Sequence, residues 1–120
     1  DDSPTSLEQL IKRFSMKDAG PDCLQLNLPE KTGFDSLLHI VDNVKRPPVT
    51  GMRAAECMIK LYPQQGKDTF VQWMTSENTK GLAILLTNNL SGFPTEIAEE
   101  IKQAGLNGPH RKAVESRLSR

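Results

Sequence analysis

Apolar side chains recur every three or four residues in several stretches of the chain, and prolines and glycines separate these stretches. This spacing puts the apolar side chains on one face of an α-helix. The stretches lie at residues 7–14, 34–44, 52–62, 70–74, 82–86, 97–104 and 113–118. The pattern therefore predicts an all-α fold with six to seven short helices.

Polar residues, prolines and glycines mark where these helices are expected to begin and end. Thr5 and Glu8 have the spacing of a capping box for the first helix. The predicted starts of the later helices are Thr32 with Asp35, Thr50, Asp68, Asn78 or Thr79, and Pro94. The predicted ends are Gly20-Pro21, Pro47-Pro48, Pro63 with Gly66, Gly92, and Gly105 as a C′ residue. The third helix is apolar around most of its circumference, so we expect it to be buried on more than one side.

No stretch of the chain predicts a sheet. Leu24, Leu26 and Leu28 alternate, but no second strand pattern lies nearby to pair with them, and an extended connection or a short helix is expected there. The recurring helix, corner and helix is typical of armadillo or HEAT-like helical hairpins. Because no clean internal period is found, an irregular helical bundle remains the alternative. Either way, residues 1–120 are predicted to form one domain around one core.

The net charge is zero, with 15 basic and 15 acidic residues among 120, which excludes a polybasic tail and an acidic low-complexity chain. The charges are nevertheless unevenly spread. Residues 1–44 carry −4, residues 45–100 carry 0, and residues 101–120 carry +4. The basic end could be a solvated helix, could fold back on the acidic end, or could contact an acidic partner.

Two cysteines and the chain start bear on the cellular setting. Cys23 and Cys57 are too far apart in sequence for a CxxC pair, so free buried thiols are the first expectation and one bridge is the alternative. No apolar run is long enough to span a membrane. We expect an intracellular, cytoplasmic location. Since the chain begins with Asp rather than Met, we also expect a fragment of a larger protein.

Nothing in the sequence indicates catalysis. His39 and His110 lie in different segments, and neither shares a local motif with an acid or a cysteine. The chain has no phosphate-binding glycine loop and no nucleophile or metalloprotease motif. We therefore expect no enzyme activity, no catalytic or metal-binding residues and no cofactor.

Two binding hypotheses remain. Protein binding in a groove would use Phe70, Trp73, Met74 and Lys80, although Trp73 could instead belong to the core. The alternative is RNA or DNA binding by the basic end. The residues of that alternative are Lys102, His110, Arg111, Lys112, Arg117 and Arg120. Zero net charge and few aromatic residues favour the protein partner, and the oligomeric state is left open.

A resemblance to a known family adds to the first hypothesis. Phe70-Val71-Gln72-Trp73-Met74, followed by Glu77-Asn78-Thr79-Lys80-Gly81-Leu82 and an apolar helix, resembles part of the armadillo-type regulatory domain of formins. The resemblance implies a non-enzymatic scaffold or regulatory module that binds a Rho-family GTPase and an autoinhibitory helix in a cytoskeletal or signalling assembly.

The C-terminal region resembles a second family. Gly105-Leu106-Asn107-Gly108-Pro109-His110-Arg111-Lys112 is similar to the closing helix of a SAM domain, which a Gly-His-Arg element opens. This resemblance also implies an interaction module.

Overall fold

The computed structural model describes residues 5–17 and 22–120, which include seven α-helices and no strand. The all-α prediction is confirmed. The helices are α1 (Leu7–Phe14), α2 (Gly33–Asn43), α3 (Pro48–Leu61), α4 (Lys67–Thr75), α5 (Lys80–Asn88), α6 (Thr95–Leu106) and α7 (Arg111–Leu118). Short 3-10 helices lie at Cys23–Gln25 and Leu90–Gly92. The first of them agrees with the short-helix alternative for the leucine-rich connection.

The helices fall into two compact units, Asp1–Leu61 and Tyr62–Arg120. The first unit contains α1 to α3 and the second contains α4 to α7. One domain over residues 1–120 stays a prediction, as does the armadillo or HEAT-like repeat. Among the described residues, no helix combines the length and apolar character that crossing a membrane requires.

Helix α3 is the centre of the first unit, because α1, α2 and the 3-10 helix at Cys23–Gln25 all pack against it. Its buried side chains are Thr50, Ala54, Ala55, Cys57, Met58 and Ile59. They cover more than one side of the helix, as its apolar circumference predicts.

Two predicted caps of the first unit are wrong, by one residue for α1 and by three residues for α3. The capping box of α1 is formed by Ser6 and Gln9, not by Thr5 and Glu8: the Ser6 hydroxyl accepts from the Gln9 N–H at 3.2 Å. Thr5 instead donates its N–H to the Asn27 carbonyl at 2.6 Å. Helix α3 begins at Pro48, since proline suits the first helical position. Thr50 is therefore inside the helix and shares a hydrogen bond with the Ser15 hydroxyl at 2.7 Å.

The expectation of free thiols is wrong. Cys23 and Cys57 form a disulfide that joins the first 3-10 helix to α3 and closes a separation of 34 residues. Both side chains are buried. The predicted end of the first helix at Gly20-Pro21 lies outside the described residues.

In the second unit, α4 packs against α5 and α6, and α7 packs against α5 and α6. The central aromatic group is Phe70, whose ring meets Trp73 edge-on at 5.3 Å and Phe93 at 5.4 Å between centroids. The other large apolar side chains of this unit with almost no exposed surface are Met74, Leu86, Ile101 and Val114. These residues come from α4, α5, α6, α7 and the segment before α6, so all four helices contribute to one core.

Gly105 does not end α6 as predicted, because the helix continues to Leu106. Its role is close packing: a Cβ at this position would lie 3.0 Å from the Met74 sulfur and 3.1 Å from a Val114 methyl carbon. Glycine here lets α6 approach both neighbours rather than turn the backbone, and none of the described glycines has a positive φ.

Gly108 gives a testable consequence of this packing. A Cβ at Gly108 would lie 2.7 Å from the Met74 carbonyl oxygen and 3.0 Å from the Ala104 carbonyl oxygen, so backbone would have to move. We expect Gly108→Ala to lower the free energy of unfolding by about 1–3 kcal/mol. Gly81→Ala is the matched control because nothing lies within 4 Å of its added methyl group, and it should stabilise by about 0.5 kcal/mol. Urea titrations followed by circular dichroism compare the two, and equal effects of the two variants would contradict the packing role of Gly108.

Candidate functional site

Three of the four predicted protein-binding side chains belong to the core of the second unit. Phe70 and Met74 have no exposed surface, and Trp73 is 4% exposed. The structure thus agrees with the core interpretation of Trp73 and leaves no surface at these three positions for a partner. Lys80, the first residue of α5, is exposed.

The predicted nucleic-acid-binding residues do not form one continuous surface. Lys102 is paired with Glu99 at 3.1 Å on α6. Lys112 and Arg117 are five positions apart on α7, which separates their directions by about 140° around the helix axis. Arg120 lies beyond the end of α7. The +4 of the C-terminal segment is thus spread over several faces of the second unit.

His110 has a structural role in the second unit. It is 8% exposed, and its Nε2–H donates to the Ser76 carbonyl at 2.7 Å, which ties the start of α7 to the connection after α4. His39 is exposed on α2, and its ring nitrogen lies 3.3 Å from the Asn43 amide nitrogen. Among the described residues, no carboxylate or thiol is hydrogen-bonded to either histidine. Among the residues in the described ranges, no group of three or more His, Cys, Asp or Glu could hold a metal ion. The absence of catalysis stays a prediction.

Lys80 and three residues of the predicted nucleic-acid set, His110, Arg111 and Lys112, come together in one depression, which we call the basic cleft. Its volume is about 430 Å³, within the range of small-ligand sites. It is lined by Lys80, Pro109, His110, Arg111, Lys112 and Ala113. Helix packing explains why these residues are close together, because α5 lies against α7. The first residue of α5 is Lys80 and the first residue of α7 is Arg111, and both line the cleft.

The charge in the basic cleft is only partly compensated by the protein. The Arg111 Nε–H donates to Glu115 Oε1 at 2.7 Å, one turn along α7. This hydrogen bond and the charge of Glu115 raise the pKa of the Arg111 guanidinium. Within the described chain, neither Lys80 nor Lys112 has an ion-pair partner. A depression of comparable volume lies along α1, and its lining includes both an acid, Glu8, and a base, Lys12. The basic cleft therefore differs from it in the charge of its lining and not in its volume.

Backbone donors add to the positive character of the basic cleft. Helix α7 has no side-chain cap, since its N-cap residue His110 donates to Ser76 instead. The N–H groups of Lys112 and Ala113 therefore have no acceptor in the part of the chain that the structure describes. The first turn of a helix carries a partial positive charge that favours anions.

Outside the basic cleft, lysines of the second unit are paired with acidic residues of α6, which lowers the positive charge of that surface. Lys67 lies 3.3 Å from Glu100, which joins α4 to α6. The pKa of Glu99 is lowered, first by the hydrogen bond that Gln103 donates to it and then by Lys102. Glu96 adds a further carboxylate to α6. The acids of α6 thus offset Lys67 and Lys102, whereas Glu115 is the single acidic partner that the cations of the basic cleft have among the described residues.

No protein-family model, curated protein or solved structure matches this chain. The resemblances to the formin regulatory domain and to the SAM closing helix therefore stay predictions. The sequence predicts Lys80 in one candidate site and Arg111 with Lys112 in another. No sequence signal joins them, because 31 positions separate Lys80 from Arg111 and only the packing of α5 on α7 brings them together.

Proposed function

We propose that the chain is a non-enzymatic interaction module that binds an acidic segment of another protein through the basic cleft. The observation that carries this proposal is the convergence of Lys80, Arg111 and Lys112 on one depression. Clustered cations attract an acidic segment and fix its register by charge pairing. Concave shape also favours a few inserted acidic side chains over a flat contact.

The aromatic residues favour a protein over single-stranded nucleic acid as the partner. Proteins that bind single strands stack bases on exposed aromatic rings. Here the four phenylalanines and Trp73 are all buried, and only Tyr62 is partly exposed. Burial also raises the pKa of Tyr62. Duplex binding needs cations that follow a phosphate backbone, whereas Lys112 and Arg117 point to different sides of α7.

Binding of a fluorescein-labelled polyglutamate peptide, followed by fluorescence anisotropy at low ionic strength, tests the proposed function. We expect Lys80→Ala and Lys112→Ala each to weaken binding about two- to fivefold, the range of exposed ion pairs, and the double variant to weaken it about tenfold. Lys60→Ala is the matched control, because Lys60 is an exposed lysine of α3 in the first unit. It should leave the affinity unchanged.

Two results would contradict the proposed function. One is an absence of peptide binding at low ionic strength, and the other is an equal loss in the Lys60→Ala control. A labelled oligonucleotide provides the comparison with the nucleic-acid alternative. If it binds more tightly than the peptide, and if Arg117→Glu weakens it as much as Lys112→Glu does, the partner is a nucleic acid.

The setting of this interaction is proposed from sequence alone. A regulatory or scaffold role in a cytoskeletal or signalling assembly rests on the formin resemblance. The intracellular, cytoplasmic location likewise stays a prediction from the sequence.

A further inference from the structure

The charge balance of the basic cleft points to a particular anion. Lys80, Arg111 and Lys112 contribute three positive charges, and Glu115, hydrogen-bonded to Arg111, contributes one negative charge. The residual charge of +2 is compensated by a single dianionic group. A phosphorylated serine or threonine carries about −1.5 to −2 at pH 7 on one tetrahedral group, whereas a carboxylate carries a single charge.

The donor arrangement of Arg111 fits the same anion. Within the part of the chain that the structure describes, only Nε of its guanidinium is hydrogen-bonded, and it donates to Glu115 at 2.7 Å. The two terminal nitrogens have no acceptor among the described residues, so one planar edge of the guanidinium is available. Such an edge forms two parallel hydrogen bonds to a phosphoryl group. Glu115 restrains the guanidinium from the opposite side and thereby acts as a positioning residue.

Lys80 and Lys112 supply the further donors that a phosphoryl group with three oxygens can accept from. Lys80 reaches the cleft from α5, while Lys112 lines it from α7. A phosphoryl group presents three oxygens, each able to accept more than one hydrogen bond. One oxygen pair can face Arg111 while the ammonium groups of Lys80 and Lys112 approach the rest. A single carboxylate supplies only one negative charge and would leave one positive charge of the basic cleft uncompensated.

We propose that the basic cleft binds a phosphoserine or phosphothreonine side chain of the partner protein, in preference to glutamate. This inference rests on the proposed function, since it specifies the acidic group that the same cleft takes. Phosphorylation of the partner would then switch the interaction on by supplying both charges in one group.

Three labelled peptides that differ at one position, carrying serine, phosphoserine or glutamate between neutral flanks, test the inference with the full chain. We expect the phosphoserine peptide to bind about tenfold more tightly than the glutamate peptide. The serine peptide should bind weakest. Arg111→Lys keeps the charge but removes the planar donor edge, so it should abolish most of the phosphoserine preference while changing glutamate binding about twofold or less.

The outcomes separate the two proposals. Equal affinity for the phosphoserine and glutamate peptides would overturn the phosphoryl preference and leave the proposed function standing. Binding of none of the peptides, together with no binding of polyglutamate, would overturn both. Displacement of the phosphopeptide by inorganic phosphate near the peptide's own dissociation constant would show a site for the free anion and overturn the assignment to a protein partner. Circular dichroism melting of Arg111→Lys controls for folding.

Discussion

Replacing Cys23 and Cys57 together by alanine is expected to lower the free energy of unfolding by about 3–4 kcal/mol. The disulfide spans 34 residues and joins the first 3-10 helix to α3. A cross-link of this span removes many conformations from the unfolded chain, and the entropy it removes grows with the logarithm of the loop length. The loss is large compared with the usual stability of a domain of this size.

The structure explains why other contacts would not compensate for the lost bond. The 3-10 helix at Cys23–Gln25 has only three residues, and its single buried side chain is Cys23. Leu24 beside it is 77% exposed and contributes little apolar burial. The disulfide is therefore the main attachment of this segment to α3.

Urea titrations followed by circular dichroism, with and without a reducing agent, measure this effect. Reduced wild-type protein and the double alanine variant should have the same lowered stability, and the variant should not respond to the reducing agent. The single variant Val49→Ala, at an exposed position of α3, is the control for the loss of a small apolar group on the same helix. A loss smaller than about 1 kcal/mol in the double variant would contradict the role assigned to the disulfide.

The helices of this protein could be predicted because their signals are local. Apolar spacing locates each helix, and prolines and glycines separate them. The boundaries were less predictable where neighbouring residues could serve the same purpose. Thr5 and Ser6 are both suitable capping residues; in the structure Ser6 caps α1, while the Thr5 N–H donates to the Asn27 carbonyl. That bond depends on tertiary structure, which no local pattern contains.

The disulfide and the basic cleft could not be predicted, because both depend on which segments meet. Two cysteines 34 positions apart are compatible with free thiols or with a bridge until α3 and the 3-10 helix are placed together. In the same way, Lys80 and Lys112 become one site only through the packing of α5 on α7. At Gly105 the local pattern itself was misleading. It predicted the end of a helix, whereas glycine is needed there for the close packing of α6 against Met74 and Val114.

The aromatic residues of α4 belong to the core and not to a binding surface, which predicts a large loss of stability when one of them is truncated. Phe70→Ala is expected to lower the free energy of unfolding by about 3–5 kcal/mol. Phe70 has no exposed surface and makes edge-on contacts with both Trp73 and Phe93. Truncation removes one ring from two aromatic pairs and leaves a cavity that rigid helices fill only in part.

Trp73 fluorescence measures this loss directly, because Trp73 is the only tryptophan and contacts the mutated ring. Urea titrations should show a transition at much lower denaturant for Phe70→Ala than for the wild type. Gln72→Ala, at an exposed position of the same helix, should change stability by less than about 0.5 kcal/mol. If Phe70→Ala kept wild-type stability and instead lost peptide binding, α4 would be the partner surface. That result would contradict the assignment of the binding site to the basic cleft. The assignment depends on burial of Phe70, Trp73 and Met74, which leaves Lys80, Arg111 and Lys112 as the exposed candidates.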